Sequence, residues 1–416
     1  MSPDEALLDR MQRKAFEYFA LPPRENGLVA DTTRPGAPAS IAVVGFALSA
    51  YPVGVERGWM SRSEAIARTL AALRFFHGSA QSEHRDATGH RGFYYHFLDM
   101  KTGKRTWQCE LSLIDTALLT VGALQASVYF DGTAGEEKEI RDLADALYRR
   151  IDWRWALRDE MALAHGWKPE CGFLHYGWEG YSEAALLYVL ALASPTHPIG
   201  PESYAAWTTT YQWENLYGQD LLYAGPLFVH QFSHAWLDFE GIRDEFMRHK
   251  RSDYFENTRR ATYVQREYAR YNPHEFAGYD RDCWGLSACD GPEPRGYGAR
   301  GAPYGPDDGT LSPASIVGSL PFAPDIASSA LRRLADRYPA IVSDMLPSGL
   351  NPSRGDGAGR PWVSEGFFGL DQGLVVLMIE NYRSRWIWRL MRSCPYVVTG
   401  LRRAGFRNGW LDHGAT

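Results

Sequence analysis

Cysteine is scarce in this 416-residue chain: Cys109, Cys171, Cys283, Cys289 and Cys394 form no CxxC pair and leave one over. That argues against a disulfide framework and against a zinc site, so the five read as reduced thiols. Long apolar runs are missing as well. No stretch of about 18 residues is free of polar groups, and a membrane-spanning helix is not supported. There is no excess of positive charge either: 44 Lys and Arg are interspersed with 50 Asp and Glu for a net charge of −6. Without a basic footprint, nucleic acid is excluded as a partner. The first twenty residues place acids in the first turn and apolar groups at Leu7, Leu8, Met11, Phe16 and Phe19. A secretory leader has the opposite order, basic then apolar. The expected location is the cytoplasm, with the periplasm as the alternative if a leader has been removed. Strand-like alternation is nearly absent.

Aromatic residues are what the chain has in abundance: 14 Trp, 23 Tyr and 19 Phe. Many fall in Gly-rich segments, which predicts exposed flat apolar faces suited to a ligand with flat apolar faces of its own, such as a sugar ring. Helical spacing recurs at Ser61–His77, Glu110–Phe130, Glu136–Trp153, Ser182–Ala193, Tyr204–Trp213, Ser252–Tyr271, Ser312–Leu320, Asp325–Tyr338 and Asp371–Arg392. The breaks between them, such as Gly89–Gly103, Gly166–Gly180, Tyr279–Gly309 and Leu350–Gly369, are rich in Gly, Pro and aromatics. None is a long polar linker, so a single domain over residues 1–416 is expected. Leu111–Val128, Ala184–Leu192 and Leu374–Ile379 are apolar on nearly every face and must be buried all round. Glu136–Trp153 and Ser252–Tyr271 carry a charged stripe and must lie outside them. Alternating inner and outer helices predict an all-α fold, an (α/α) barrel.

Three of the apolar helices share one local design: an aromatic or Gly-containing loop, a carboxylate in the first turn, then an apolar run. They carry Glu110 and Asp115 after Trp107, Glu179 and Glu183 around Trp178, and Asp371 after Phe367 and Phe368, with Glu365 just upstream. A fainter copy is Asp31 before Ile41–Leu48. Helix capping explains any one of them, since Asp and Glu satisfy free N–H groups and the helix dipole. Burial argues for more. Asp115 has Leu111, Leu118 and Leu119 on its own side of the helix, and an unpaired buried charge is costly. Pooled carboxylates of this kind supply the protonated acid and ionised base that glycoside hydrolysis needs. Arg105 is the expected cation that holds one of them ionised.

The segments around these carboxylates resemble the glucoamylase-like bacterial family that contains endo-β-1,2-glucanases, glycoside hydrolase family 144. The resemblance runs over about residues 10–395 and rests on Gly27–Asp31, Ala50–Trp59, Gly92–Asp99, Ser112–Ala117, Gly225–His234 and Gly369–Gly373. It implies an (α/α)6 barrel, no metal or other cofactor, and hydrolysis of linear β-1,2-glucan with inversion. By motif position Glu183 matches the family's acid, Asp371 its base and Asp115 a required cleft carboxylate. Glu110, Glu179 and Glu365 could exchange parts with them. Exo-acting hydrolysis or transfer on β-1,2-gluco-oligosaccharides or another β-linked glycan is the alternative. A non-catalytic glycan-binding protein is a third reading.

Other residues were weighed for sugar binding. His230 and His234 have helical i, i+4 spacing, but the HExxH glutamate is missing, so metal is not expected there. His230 and Gln231 are read as sugar ligands and His234 as a core histidine. Gln212, Trp213, Glu214 and Asn215 combine an aromatic plate with amide and carboxylate groups, the mix of a sugar subsite. Trp107 and Trp284 are candidate plates, each with gap-filling between helices as the plain alternative. Asp307-Asp308-Gly309 reads as a turn rather than a calcium loop, and Gly291–Gly309 as a cleft rim. A monomer acting on a glucan, without a membrane contact, is the expected assembly.

Overall fold

A helix with no polar face must be covered on every side, and the apolar helices of this chain cover one another. The computed structural model describes residues 2–159, 161–355 and 359–413. In chain order its helices begin with α1 (Pro3–Phe19), α2 (Ile41–Glu56), α3 (Arg62–Gly78), α4 (Leu113–Tyr129), α5 (Gly135–Arg150) and α6 (Ala185–Ala193). They continue with α7 (Pro201–Thr208), α8 (Leu227–Gln231), α9 (Glu245–Lys250), α10 (Tyr254–Tyr271), α11 (Pro313–Gly318) and α12 (Pro324–Arg337). The last are α13 (Pro339–Val342), α14 (Gly369–Ser384), α15 (Trp386–Arg392), α16 (Pro395–Arg403) and α17 (Trp410–His413).

The inner ring can be traced by its contacts. α2 packs on α4, α4 on α6, α8 on α11, α11 on α14, and α14 returns to α2. The remaining step, from α6 to α8, is made by the 3-10 turn Ser233–Ala235, whose Ser233 hydroxyl accepts a hydrogen bond from the Leu186 amide at 3.1 Å. Outside this ring α1 lies on α14 and α2, α3 on α2, α5 on α4, α16 on α6, α10 on α8 and α12 on α11. Burial separates the layers: α6 buries every residue, whereas α5 buries only Ile140, Ala144, Leu147 and Tyr148. This is the expected (α/α)6 barrel.

Two glycines let the inner layer close. A Cβ on Gly122 of α4 would sit 2.1 Å from the Gly45 carbonyl oxygen, and one on Gly45 of α2 would sit 2.2 Å from that of Leu118. The helices therefore meet backbone to backbone. At their C-terminal ends Arg57 grips Glu380 with two bonds of 2.8 and 3.0 Å, and Gln12 donates to the same carboxylate at 3.1 Å, joining α1, α2 and α14.

The structure departs from the sequence expectations in three places. The long helix expected over Asp371–Arg392 is two, because Arg385 takes a left-handed conformation (φ 54°) between α14 and α15. The helix expected over Tyr204–Trp213 stops at Thr208, and Trp213–Leu216 pairs instead with Gln219–Leu222 in a hairpin. Strands are present, but each has only two to four residues, too few for alternation to register. The largest sheet is antiparallel, in the order Gly89–His90, Phe93–Tyr95, Leu111–Ser112, Gly166–Lys168, Gly172–Phe173. Residues 356–358 of the Leu350–Gly369 break lie outside the described residues. No described helix is long and apolar enough to cross a membrane. All five cysteines are free.

Gly122→Ala is expected to lower unfolding free energy by about 1–3 kcal/mol, since the methyl forces two inner helices apart. A leftward shift of the urea midpoint at unchanged slope checks it.

Candidate active site

The carboxylates stand at one end of the barrel because each is tied to the start of an inner helix. Asp31 lies in a loop zipped to the start of α14, whose first turn carries Asp371: Gly369 N donates to Asp31 O at 2.8 Å and Thr33 N to Phe367 O at 2.9 Å. Asp115 lies in the first turn of α4. Its amide donates to the Ser112 hydroxyl at 3.2 Å, and that hydroxyl donates back to Asp115 Oδ2. Ser112 is thus the cap, and the Asp115 side chain is free of that duty. Glu183 precedes α6, its carbonyl held by the Ser233 hydroxyl at 2.8 Å. Glu110 and His96 are neighbours because the sheet pairs Tyr95 with Leu111, and His96 N donates to Glu110 O at 3.0 Å.

Electrostatics divide the group in two. Burial pushes Glu183 up to about 7, with some help from the Asp115 charge. Asp371 also rises to about 7 through burial; a Ser348 hydrogen bond opposes this, while Asp31 and Asp290 add to it. Asp371 Oδ2 is buried without a partner. Asp31 rises to about 6, again mainly by burial, with His96 and Arg34 pulling down and Asp115 pushing up. On the other side stands His96. Its Nδ1 is 2.9 Å from Glu110 and its Nε2 is 3.6 Å from Asp115. Burial opposes its charge, but Asp115, Glu110 and Asp31 outweigh that and raise it to about 9. Glu110 is correspondingly lowered, its bond to His96 overcoming burial. One half of the mouth therefore titrates close to neutral pH, and the other is paired with His96.

His96, Glu110 and Asp115 offer ligand atoms within 4.8 Å of one another and could hold a cation. Such an ion would have to displace the Nδ1 hydrogen bond to Glu110, because each ring nitrogen already faces a carboxylate.

Several predicted residues lie elsewhere. Arg105, expected beside a catalytic carboxylate, pairs with Glu170 at 2.7 Å and holds the carbonyls of Cys109 (2.6 Å) and Gln108 (2.8 Å). It anchors the Trp107 loop, and the cationic groups at the carboxylates are His96 and Arg34. His230 and Gln231, expected to meet sugar, are 1% and 0% exposed. Gln231 donates to Ser315 O and Ser319 Oγ, tying α8 to α11, and His230 faces the Ala224 carbonyl and the Tyr181 hydroxyl. Trp284 is wholly buried and fills the core. The hairpin places Trp213 against Phe246, with Lys250 over its ring, and ties Asn215 to Asp220. Gln212 is exposed and Glu214 half-buried on the same hairpin. Glu179 and Glu365 are exposed. Trp107 is the expected exposed plate, 67% accessible, against Phe97 at 5.1 Å. His96 went unnoticed because a lone histidine between aromatics carries no spacing signal. Many aromatics are core: Trp153, Trp207, Trp236 and Trp388 are fully buried.

Comparison with known proteins agrees with this picture. The family model described as "Putative glucoamylase" matches residues 175–395, and the chain belongs to this glucoamylase-like family. An exo β-1,2-glucooligosaccharide sophorohydrolase (non-reducing end) from Parabacteroides distasonis is 29% identical over 441 residues. That match takes in 96% of this chain and 58% of the relative, so the chain spans under two thirds of that protein's length. The crystal structure of a "putative glucoamylase" from Bacteroides uniformis superposes with a TM-score of 0.88 at 28% identity, covering 99% of each chain. The endo-β-1,2-glucanase of Chitinophaga pinensis, solved with sophorotriose and glucose, superposes at 0.85 with 26% identity, covering 98% of this chain and 99% of that one.

The Asp371 shift carries a stability consequence. Its folded value of about 7 exceeds the ordinary 3.8, so the folded state binds the proton more tightly and loses stability as pH rises between the two. Asp371→Asn, which cannot ionise, is expected to melt roughly 2–4 °C above the parent at pH 8, the gap closing toward pH 4. Thermal melts across that range test it.

Proposed function

We propose that this protein is a glycoside hydrolase that cuts linear β-1,2-glucan within the chain, with Glu183 as acid and Asp371 as base. The observation that carries this reading is the mouth itself, where half-buried carboxylates whose proton affinity is raised to near neutrality stand beside carboxylates that face His96. Hydrolysis of a glycosidic bond needs a proton for the leaving oxygen and a carboxylate to activate water. Glu183 suits the first task, since burial leaves it protonated at a pH where an ordinary glutamate is ionised. Asp371 suits the second, since its Oδ2 has no protein partner and is free to accept from a water. Asp115, with its carboxylate 3.6 Å from His96 Nε2, orients substrate. Inversion would place the two working carboxyls roughly 6.5–9.5 Å apart in the complex.

The linkage is supported by the two relatives whose names specify β-1,2-glucans. One of them is an exo-acting sophorohydrolase, which makes exo cleavage the competing mode. We read the chain as one catalytic domain working as a monomer, without metal or other cofactor, because carboxylates and water suffice for this chemistry.

Glu183→Gln and Asp371→Asn are each expected to reduce reducing-sugar release from β-1,2-glucan by at least about 100-fold with folding intact by circular dichroism. Full activity in either removes that residue from the mechanism. Thin-layer chromatography on β-1,2-, β-1,3- and β-1,4-glucans reads linkage and mode together: a spread of oligosaccharides means endo, a single product size means exo. The rate is expected to peak near pH 7, falling above it as Glu183 gives up the proton it must donate and below it as Asp371 takes up the proton a base must lack.

A further inference from the structure

The loop between α10 and α11, Gly291–Gly309, puts Tyr297 beside the carboxylates and leaves 55% of its surface open to solvent. Its ring lies nearly parallel to that of Phe368 at 5.9 Å and 15°. Phe368 is fixed in turn: the Arg34 guanidinium lies 5.1 Å from its centroid, and that guanidinium is held by Asp290 and by the Glu365 carbonyl at 2.9 Å. Three rim loops thus build a rigid support for one exposed ring. Crowding around the Tyr297 hydroxyl, together with the charges of Asp371, Asp31 and Asp115, raises its proton affinity, so it can donate a hydrogen bond, while more than half of the residue stays open to solvent. A purely structural staple would bury its ring, and this one does not.

Ring order adds a direction. The inner helices run α2, α4, α6, α8, α11, α14 around the barrel, so the loops leading into α4 and α11 are diametrically opposed. The α4 loop carries the exposed Trp107, which leans on Phe97; Phe97 stacks on His96 at 3.9 Å, next to Glu110 and Asp115. The α11 loop carries Tyr297. Two exposed aromatic rings thus stand on separate rim loops, Trp107 next to the Glu110 and Asp115 group through Phe97 and His96, and Tyr297 next to Asp371 through Phe368 at the start of α14.

We infer that Tyr297 is a substrate-positioning residue, a stacking platform for a glucose ring bound across the mouth from Trp107. The inference rests on the hydrolase reading above and extends it: platforms on both sides hold a chain that continues past the point of cleavage in each direction. Stacking gives the sugar's C–H face a surface, and the Tyr297 hydroxyl is placed to donate to a ring hydroxyl.

The experiment is steady-state kinetics of the full chain and its Tyr297→Ala and Tyr297→Phe variants on β-1,2-glucan and on the β-1,3- and β-1,4-linked panel. Tyr297→Ala is expected to raise KM about tenfold on the glucan that the parent cuts, with kcat changed less, and Tyr297→Phe to restore KM to within about threefold. Thermal unfolding is expected to stay unchanged, because the ring is exposed. An unchanged KM and product profile in the Ala variant overturns the platform while leaving the hydrolase reading standing. No turnover of any glucan by the parent overturns the hydrolase reading and the platform with it. Equal losses in the Ala and Phe variants assign the effect to the hydroxyl and overturn stacking.

Discussion

Everything in this protein follows from helices that have no face to give to water. α2, α4, α6 and α14 are apolar nearly all round, so each must be covered by inner neighbours on two sides and an outer helix behind. A closed ring is the arrangement that does this for all of them. Closure has a price in geometry, visible where Gly45 and Gly122 bring two backbones into contact, and a consequence in chemistry. Polar work can only be done at the ends.

The carboxylates gather at the end where the helices begin. Helix N-termini favour negative charge, and the barrel crowds several carboxylates there with little water between them. The dipole stabilises ionisation while burial opposes it, and at Glu183 and Asp371 burial prevails. His96 supplies the counter-charge on the other side, pairing Glu110 and facing Asp115. The separation of roles thus arises from position alone, since all the groups are chemically alike. The short strands serve the same end: pairing Phe93–Tyr95 with Leu111–Ser112 sets His96 beside Glu110, and the zip between residues 31–33 and 367–369 sets Asp31 beside Asp371.

Legibility in the sequence followed the length of the pattern. The inner helices were readable because a dozen or more residues contributed to each, and the repeated loop, carboxylate and apolar run pointed to Asp115, Glu183 and Asp371, which the fold places at the same mouth. Features set by one residue were not readable. The left-handed turn at Arg385 splits a continuous helical pattern, and nothing in the local residue types announces it. Arg105 was the natural cation by proximity in sequence, yet its side chain turns to Glu170 and the loop carbonyls. His230 and Gln231 had the composition of sugar ligands, but their depth makes them wall residues.

By itself the sequence determined the layering of the barrel and the identity of the carboxylates at its mouth, because hydrophobic periodicity and helix-start patterns are local and repeat. Tertiary structure alone decided which side chains meet: His96 with Glu110 and Asp115, Asp31 with Asp371, and Tyr297 with Phe368. Those pairings join segments that are in several cases hundreds of residues apart. Their proton affinities depend on burial and neighbouring charge, which exist only once the ring has closed.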